Sequence, residues 1–218
     1  VAQKNATLCY TFNVFQIKST ENLDNLKVSS KDTPINLHHS LFVDLVHLRL
    51  LILVNCDFSN VSNDSLKILV TLEILEIKNP TNCSHIKLES LKNLRWLEVV
   101  FDKSIIQDIS NTNLEILKYK LDRKLKSGGQ FDEIEMIQKW NFRNLKALQI
   151  QSQFDTFNLD WLSGMPNLIN LDMKKCDIRK FFTGNRVNKI ELLDLDYNRA
   201  IIKSIDGTLI TIPRSEID

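Results

Sequence analysis

A nine-residue leucine pattern recurs along this chain and constrains its fold more than any other feature. In its clearest copy, residues 48–56, positions one, four, six and nine hold Leu48, Leu51, Leu53 and Cys56. Because side chains alternate along a strand, positions four and six predict a buried side, while the residues between them point outward. One such unit cannot bury its apolar side alone. The pattern therefore predicts a stack of similar units.

Eight copies of the pattern occur in register, at a mean spacing of about 24 residues. We interpret residues 23–198 as about eight repeats, with an insertion near residues 123–143 where the interval between copies is longest. Residues 1–22 do not match and are interpreted as an N-terminal cap or partial repeat, and residues 199–218 as a C-terminal partial repeat or tail. The copies begin at Leu23, Leu48, Leu72, Leu94, Leu114, Leu145, Leu168 and Ile190.

The segments between the copies predict short helices and loops. Residues 64–70 and 159–166 carry apolar side chains at helical spacing, so each predicts a short helix. Residues 40–45 contain the F-x-x-L pattern that closes the convex side of longer repeats. In the insertion, a spacing near three predicts an amphipathic helix through Phe131, Ile134, Ile137 and Trp140.

The pattern resembles that of the leucine-rich repeat superfamily over residues 23–198. This resemblance implies an α/β fold, a curved solenoid shaped as a horseshoe arc. Its parallel β-sheet would form the concave face, and short helices and loops would form the convex face. At position nine, where the family usually has asparagine, only the last repeat does, so we expect turns that differ between repeats. The eight residues are Lys31, Cys56, Pro80, Asp102, Asp122, Gln153, Cys176 and Asn198.

Residues 48–79 are also similar to part of a Toll-like receptor ectodomain, through residues 56–61, the leucines 66, 69 and 72, and residues 75–79. That similarity implies an extracellular or cell-surface ligand-binding or protein-binding module in immune or developmental signalling. The alternative is a cytoplasmic recognition arm or scaffold of the F-box type. The repeat lengths and sequons favour the first. The apolar thiols at position nine, and the absence of cysteine-rich caps, favour the second.

The outward strand positions predict the partner-binding surface. In repeats two to five they carry many apolar residues, and contiguous apolar surface of this kind is typical of an interaction site. Trp96 and Phe101 belong to residue types that anchor interfaces. We therefore expect a protein or an apolar ligand on the concave face, and the arc would also allow dimerisation. The alternative is that neighbouring loops cover the strand ends. The predicted residues are Leu50, Ile52, Val54, Ile74, Trp96, Val100, Phe101, Ile116 and Leu121.

Two further groups of residues are candidate sites. Glycosylation is predicted at Asn60, Asn63 and Asn82, because each begins an N-x-S/T sequon and was expected on an outer loop. A basic cluster near the insertion is either a solvated loop or a docking site for an acidic partner. It comprises Lys118, Lys120, Arg123, Lys124 and Lys126.

Composition and motifs argue against other functions. A net charge of +1 gives no electrostatic case for nucleic acid, and no apolar run approaches the roughly 20 residues that span a bilayer. The histidines form no metalloprotease motif, and no nucleophile elbow or phosphate-binding glycine loop occurs, so we expect no enzyme and no cofactor. The four cysteines lack zinc-site spacing, and a disulfide between Cys9 and Cys83 stays open.

Overall fold

The computed structural model describes part of the chain, which divides into two compact units, Val1–Leu114 and Glu115–Asp218. The described residues are 5–9, 23–101, 109, 113–121, 137–152, 154, 156–174, 176, 178, 180–182, 192–194, 201–203 and 209–211. Of these, the backbone alone is described for residues 5–9, 101, 121, 180–182, 192–194, 201–203 and 209–211.

In the first unit, one strand from the segment before residue 23 and one strand from each following repeat join a parallel sheet in the order β1-β2-β4-β6-β7. A second sheet pairs β3 with β5. A 3-10 helix spans His39–Leu41 and an α-helix, α1, spans Asn63–Leu66. The strands are β1 (Asn5–Cys9), β2 (Asn25–Ser29), β3 (Ile35–His38), β4 (Leu50–Val54), β5 (Cys56–Asn60), β6 (Ile74–Lys78) and β7 (Trp96–Phe101).

The second unit repeats this arrangement. Its main sheet is parallel, in the order β8-β9-β11-β13, and a second sheet has the order β10-β12-β14-β15, with the last pair antiparallel. A 3-10 helix spans Leu159–Leu162. The strands are β8 (Ile116–Leu121), β9 (Ala147–Gln151), β10 (Thr156–Asn158), β11 (Asn170–Asp172), β12 (Lys180–Phe182), β13 (Leu192–Asp194), β14 (Ile201–Lys203) and β15 (Leu209–Thr211).

The predicted repeat register is the observed one. In the first unit, position four aligns across the sheet as Leu26, Leu51, Leu75 and Leu97. Wherever side chains are described, the residues at positions one, four and six are buried in both units. Repetition of this core along parallel strands is the leucine-rich repeat architecture, so the predicted fold class is confirmed.

Two asparagines determine how the chain leaves its strand. Asn55 and Asn79 precede position nine in repeats two and three, and both have left-handed backbone conformations, with φ of 55° and 51°. Asparagine tolerates this region better than other residues with a side chain. Directly after the turn, Cys56 and Pro80 are buried. These two turns therefore share a left-handed residue at position eight, whereas Ser30 at the same position of the first repeat is not left-handed, so the turns differ between repeats as expected.

The segments outside the sheets are shorter and more varied than predicted. The helix expected over residues 64–70 is the single turn α1, whose N-cap Ser62 and Ser65 form a capping box. The segment 159–166 holds a 3-10 helix instead. In the F-x-x-L segment, Phe42 and Leu45 are buried as predicted.

Part of the insertion is described. Residues 137–139 are helical, and Ile137 is buried, while Phe131 and Ile134 lie outside the described residues. Trp140 packs edge-on against Tyr119, with ring centroids 5.3 Å apart. Since Tyr119 occupies position six of its repeat, the end of the insertion is anchored to the leucine core.

Polar ladders join consecutive repeats beside position one. Asn93 Nδ2 donates to Val70 O at 2.6 Å, and Asn167 Nδ2 donates to Arg143 O at 2.7 Å. At position two, Arg49 and Glu73 form a two-point pair, with Nε–Oε1 and Nη2–Oε2 distances of 3.0 and 2.8 Å. The two asparagine bonds satisfy carbonyls at the repeat boundaries, and the Arg49–Glu73 pair links two neighbouring repeats through their side chains.

Candidate partner-binding face

The side of each main sheet opposite the leucine core is referred to below as the open face. The residues at positions three, five and seven form it, because alternation along the strand turns them away from the core. In the first unit, position three aligns as Asn25, Leu50, Ile74 and Trp96. The last three are half-buried and make an apolar column across neighbouring strands.

The other two columns of the first unit carry charge as well as apolar groups. Position five aligns Ile52 with Glu76 and Glu98, and position seven aligns Val54 with Lys78 and Val100. The predicted surface omitted the two glutamates and the lysine. Its apolar part is consequently interrupted at the centre of the sheet, which corrects the prediction of a continuous apolar surface.

Glu76, Lys78 and Glu98 form a connected ion-pair cluster, referred to below as the charged triad. Lys78 Nζ lies 2.8 Å from Glu76 Oε2 and 3.5 Å from Glu98 Oε1. The lysine side chain is 33% exposed, while those of Glu76 and Glu98 are 15% and 11% exposed. Burial lowers the pKa of Lys78, but the two carboxylates raise it more, so its net pKa lies above the usual value. With two carboxylates and one ammonium, the triad carries a formal charge of −1.

A signal for the triad was present in the sequence. Glu76 and Glu98 both occupy position five, so the repeat register predicts that they are neighbours across two strands. Like charges directly opposite each other on a sheet are destabilising. A lysine two residues along one strand therefore relieves a repulsion that the register itself creates.

The open face of the second unit has a different character. Position three aligns Ile116 with Ala147 and Asn170, and position five aligns Lys118 with Gln149 and Asp172. A depression of about 260 Å³ lies over these strands. Ile116 is 40% exposed, whereas the other predicted open-face residues with described side chains are half-buried.

The predicted apolar surface is therefore less exposed than expected. Leu50, Ile52, Val54 and Ile74 of the first unit are half-buried. Phe101 and Leu121 are the last residues of β7 and β8, and their side chains lie outside the described part of the chain.

The three predicted glycosylation sites lie in the first unit, and their expected loop placement holds for Asn82 but is wrong for Asn60 and Asn63. Asn60 is the last residue of β5, and its Nδ2 donates to Asn36 Oδ1 at 3.0 Å. Asn63 is the first residue of α1, because the chain after position nine forms a strand and a helical turn here. Asn82 is exposed outside these elements, and its Nδ2 donates to Asp57 Oδ1 at 3.0 Å.

The thiols of the cysteines at position nine act as weak hydrogen-bond donors to backbone carbonyls. Cys176 Sγ lies 3.0 Å from Ile150 O, and Cys56 Sγ lies 3.6 Å from Val54 O. Burial raises the pKa of the Cys56 thiol to about 12. Cys83 is also buried, and the side chain of Cys9 lies outside the described part of the chain, so a disulfide between them stays open.

Within the described ranges, no group of three or more histidine, cysteine or acidic side chains is arranged to hold a metal ion. No helix in those ranges is long and apolar enough to cross a membrane. Of the basic cluster, Lys118 and Lys120 lie half-buried on β8, and Arg123, Lys124 and Lys126 fall outside the described residues. This cluster is therefore described only where it joins the open face.

Comparison with known proteins gives a match of structure alone. No family model matches the chain, and no curated protein matches it. Among solved structures, an internalin from Listeria monocytogenes matches with 16% sequence identity and a TM-score of 0.38, over 83% of this chain. The chain spans 63% of the length of that internalin chain. Within each unit, the chain's own strand register and buried leucine positions are those of the leucine-rich repeat fold.

Proposed function

We propose that this chain is a binding module without catalytic activity that presents its open face to a protein partner. The observation that carries the proposal is the combination of Leu50, Ile74 and Trp96 with the charged triad on one face. Interfaces between proteins combine aromatic and aliphatic anchors with polar groups that determine orientation. Trp96 and Glu98 lie two residues apart on β7, so both kinds of group fall within one contact area.

The triad favours a protein over the apolar ligand that the sequence also predicts. An apolar ligand laid across the column would remove water from Glu76 and Glu98 and give them no new partner, which is costly. A protein surface can bring donors to those carboxylates. Four strands spaced about 4.8 Å apart offer a width of roughly 15 Å, which suits a protein surface rather than a small molecule.

The first experiment compares partner binding by the whole parent chain with binding by its Trp96→Ala variant, which serves as the negative control. Proteins that bind the parent chain and not the variant are captured, identified and made pure for affinity measurement. Truncating a central aromatic anchor typically costs 2 kcal/mol or more, so binding should weaken at least about thirty-fold. The control variant is Ile35→Ala. Ile35 is half-buried on β3, outside the main sheet. Full binding by Trp96→Ala, with its fold intact, would contradict the proposal.

The arc-mediated dimerisation expected from the sequence is examined in the same preparation. Sedimentation of the purified chain over a range of concentrations measures self-association directly. A monomer that still binds its partner in a Trp96-dependent way supports a hetero-partner. A dimer that Trp96→Ala dissociates would make a second copy of this chain the partner.

The proposed location is extracellular, as part of a Toll-like ectodomain, and the alternative is a cytoplasmic F-box-type arm. The exposed Asn60 and Asn82 support the first, while the buried thiols of Cys56 and Cys176 suit a reducing compartment and support the second. Expression in a secreting eukaryotic cell, followed by glycosidase treatment, separates them. We expect a mass shift on the peptide that contains Asn60 and Asn63, which Asn60→Gln reduces and the double variant Asn60→Gln, Asn63→Gln abolishes. An unmodified peptide from a folded, secreted chain would favour the cytoplasmic alternative.

A further inference from the structure

The second unit carries a depression on its open face, and we propose that it receives one tyrosine side chain of the protein partner. The inference rests on the proposed function, because it names the chemistry of one partner residue. The depression is about 260 Å³ and spans β8, β9 and β11. Its wall and floor residues on the open face are Ile116, Ala147, Asn170, Lys118, Gln149 and Asp172.

The depression exists because Ala147 is small. At position three, the first unit has Leu50, Ile74 and Trp96, whereas here Ala147 lies between Ile116 and Asn170 on the neighbouring strands. Strands about 4.8 Å apart place these neighbours on both sides of the alanine methyl group. The result is a space as wide as one side chain, open toward solvent and closed below by the strand backbones.

The depression is apolar on one side and polar on the other. Ala147 and the exposed Ile116 supply apolar contact for the ring of an incoming side chain. Asp172 lies on the polar side, where its Oδ2 accepts from Gln149 Nε2 at 2.6 Å and its Oδ1 accepts from Lys174 N at 3.0 Å. These bonds hold the carboxylate in position, and a carboxylate retains further lone pairs to accept another donor.

Charge complementarity selects a neutral side chain with a polar tip. Lys118 and Asp172 lie on opposite sides of Gln149 at position five, and their formal charges cancel. An arginine entering the depression would be attracted by Asp172 but repelled by Lys118, and a glutamate would be attracted by Lys118 but repelled by Asp172, so neither gains what an unopposed charge would give. A tyrosine hydroxyl can donate to Asp172 and accept from a nearby donor such as Asn170, while its ring covers Ala147. Phenylalanine has the ring and lacks the hydroxyl.

The test uses small probes on the intact chain, so no partner has to be known. Methyl resonances of Ala147 and Ile116 are followed by NMR during titration with N-acetyl-L-tyrosinamide. Saturable shifts should appear at both methyl groups. N-acetyl-L-phenylalaninamide should bind at least about ten-fold more weakly, because one hydrogen bond to a charged group is lost. The corresponding arginine and glutamate amides should bind more weakly than either aromatic probe.

Variants of the chain distinguish binding of the probe inside the depression from effects of a substitution on the rest of the sheet. Ala147→Leu should weaken tyrosinamide binding at least about ten-fold, since its side chain occupies the space. Gln151→Leu, on the same strand and face but outside the depression, is the matched control. Asp172→Asn should reduce the preference for tyrosinamide over phenylalaninamide. If Ala147→Leu does not fold, Ala147→Val supplies the smaller substitution.

The inference fails if tyrosinamide gives no saturable shift, if Ala147→Leu binds it normally, or if the arginine amide binds more tightly. Such a result leaves the proposed function standing when a partner still binds in a Trp96-dependent manner. Conversely, if tyrosinamide binds but no partner binds in a Trp96-dependent manner, the tyrosine site is supported and the proposed role of the first unit is contradicted. The two failures are therefore distinguishable.

Discussion

Lys78 Nζ lies 2.8 Å from Glu76 Oε2 on the same strand, at the centre of the open face of the first unit. The lysine also approaches Glu98 on the adjacent strand, at 3.5 Å. Because the carboxylate side chains are mostly buried, the ammonium of Lys78 helps to make their proximity tolerable. The stability of this part of the sheet should therefore depend on Lys78.

Replacing Lys78 with methionine tests that dependence. Lys78→Met keeps a long side chain but leaves two half-shielded carboxylates facing each other, and we expect a loss of about 1–2 kcal/mol of unfolding free energy. Adding Glu98→Gln to this variant should restore part of the loss, because one of the like charges is removed. Urea unfolding of the four proteins of the cycle measures the coupling. Additive effects would show that the two residues act independently.

The assigned repeat register can be tested with Ile74 and Leu75, two consecutive residues of β6 that lie on opposite faces of the sheet. Leu75 is 3% exposed and belongs to the leucine core, so Leu75→Ala should cost about 2–5 kcal/mol of unfolding free energy. Ile74 lies half-buried on the open face, and Ile74→Ala should cost clearly less. Denaturant midpoints of both variants are compared with the parent. Equal costs would contradict the assigned register.

Asp57 should make the stability of the first unit depend on pH. Burial raises the pKa of Asp57, but hydrogen bonds from Ser59 and Asn82 lower it more, so its pKa in the folded chain is below the usual value. A carboxyl with a depressed folded pKa stabilises the fold above its unfolded pKa, about 3.9, and this contribution is lost as the pH falls through the folded pKa.

The measurement is the urea midpoint between pH 6 and pH 2, an interval that starts above the unfolded pKa of about 3.9 and extends below it. We expect Asp57→Asn to be less stable than the parent at pH 6 and to lose less stability on acidification. Asp32→Asn, at an exposed position, is the control and should follow the parent. Parallel curves for Asp57→Asn and the parent would rule out this contribution.

Gly164 is required by a close backbone approach. A Cβ atom at this residue would lie 1.9 Å from Trp140 O and 3.0 Å from Trp140 C, so the backbone itself would have to move. Gly164→Ala should therefore destabilise the second unit by about 1–3 kcal/mol, in the range of other overpacked sites. Thermal unfolding is compared with Ser163→Ala at the exposed neighbouring position. An unchanged midpoint for Gly164→Ala would mean that the two segments are not in contact.

The sequence by itself determined the repeat register and the core. Leucine at positions one, four and six can be buried only if the strands stack in parallel, and one strand per repeat follows from the spacing. For the same reason Trp96 and Ile116 could be assigned to the open face before any contact was known. The position of Asn93 directly before a repeat leucine, shared by Asn113 and Asn167, was also visible as a recurring Asn-Leu pair.

Only the tertiary structure shows which side chains of neighbouring repeats contact each other. The charged triad depends on the distance between Lys78 and Glu98, which are on different strands, and a list of apolar positions left both out. The depression at Ala147 depends on the size difference between residues of three adjacent strands, and its polar rim depends on the bond from Gln149 to Asp172. The periodicity of one chain assigns each residue to a face, but contacts between repeats depend on side-chain length, orientation and charge, which packing alone fixes.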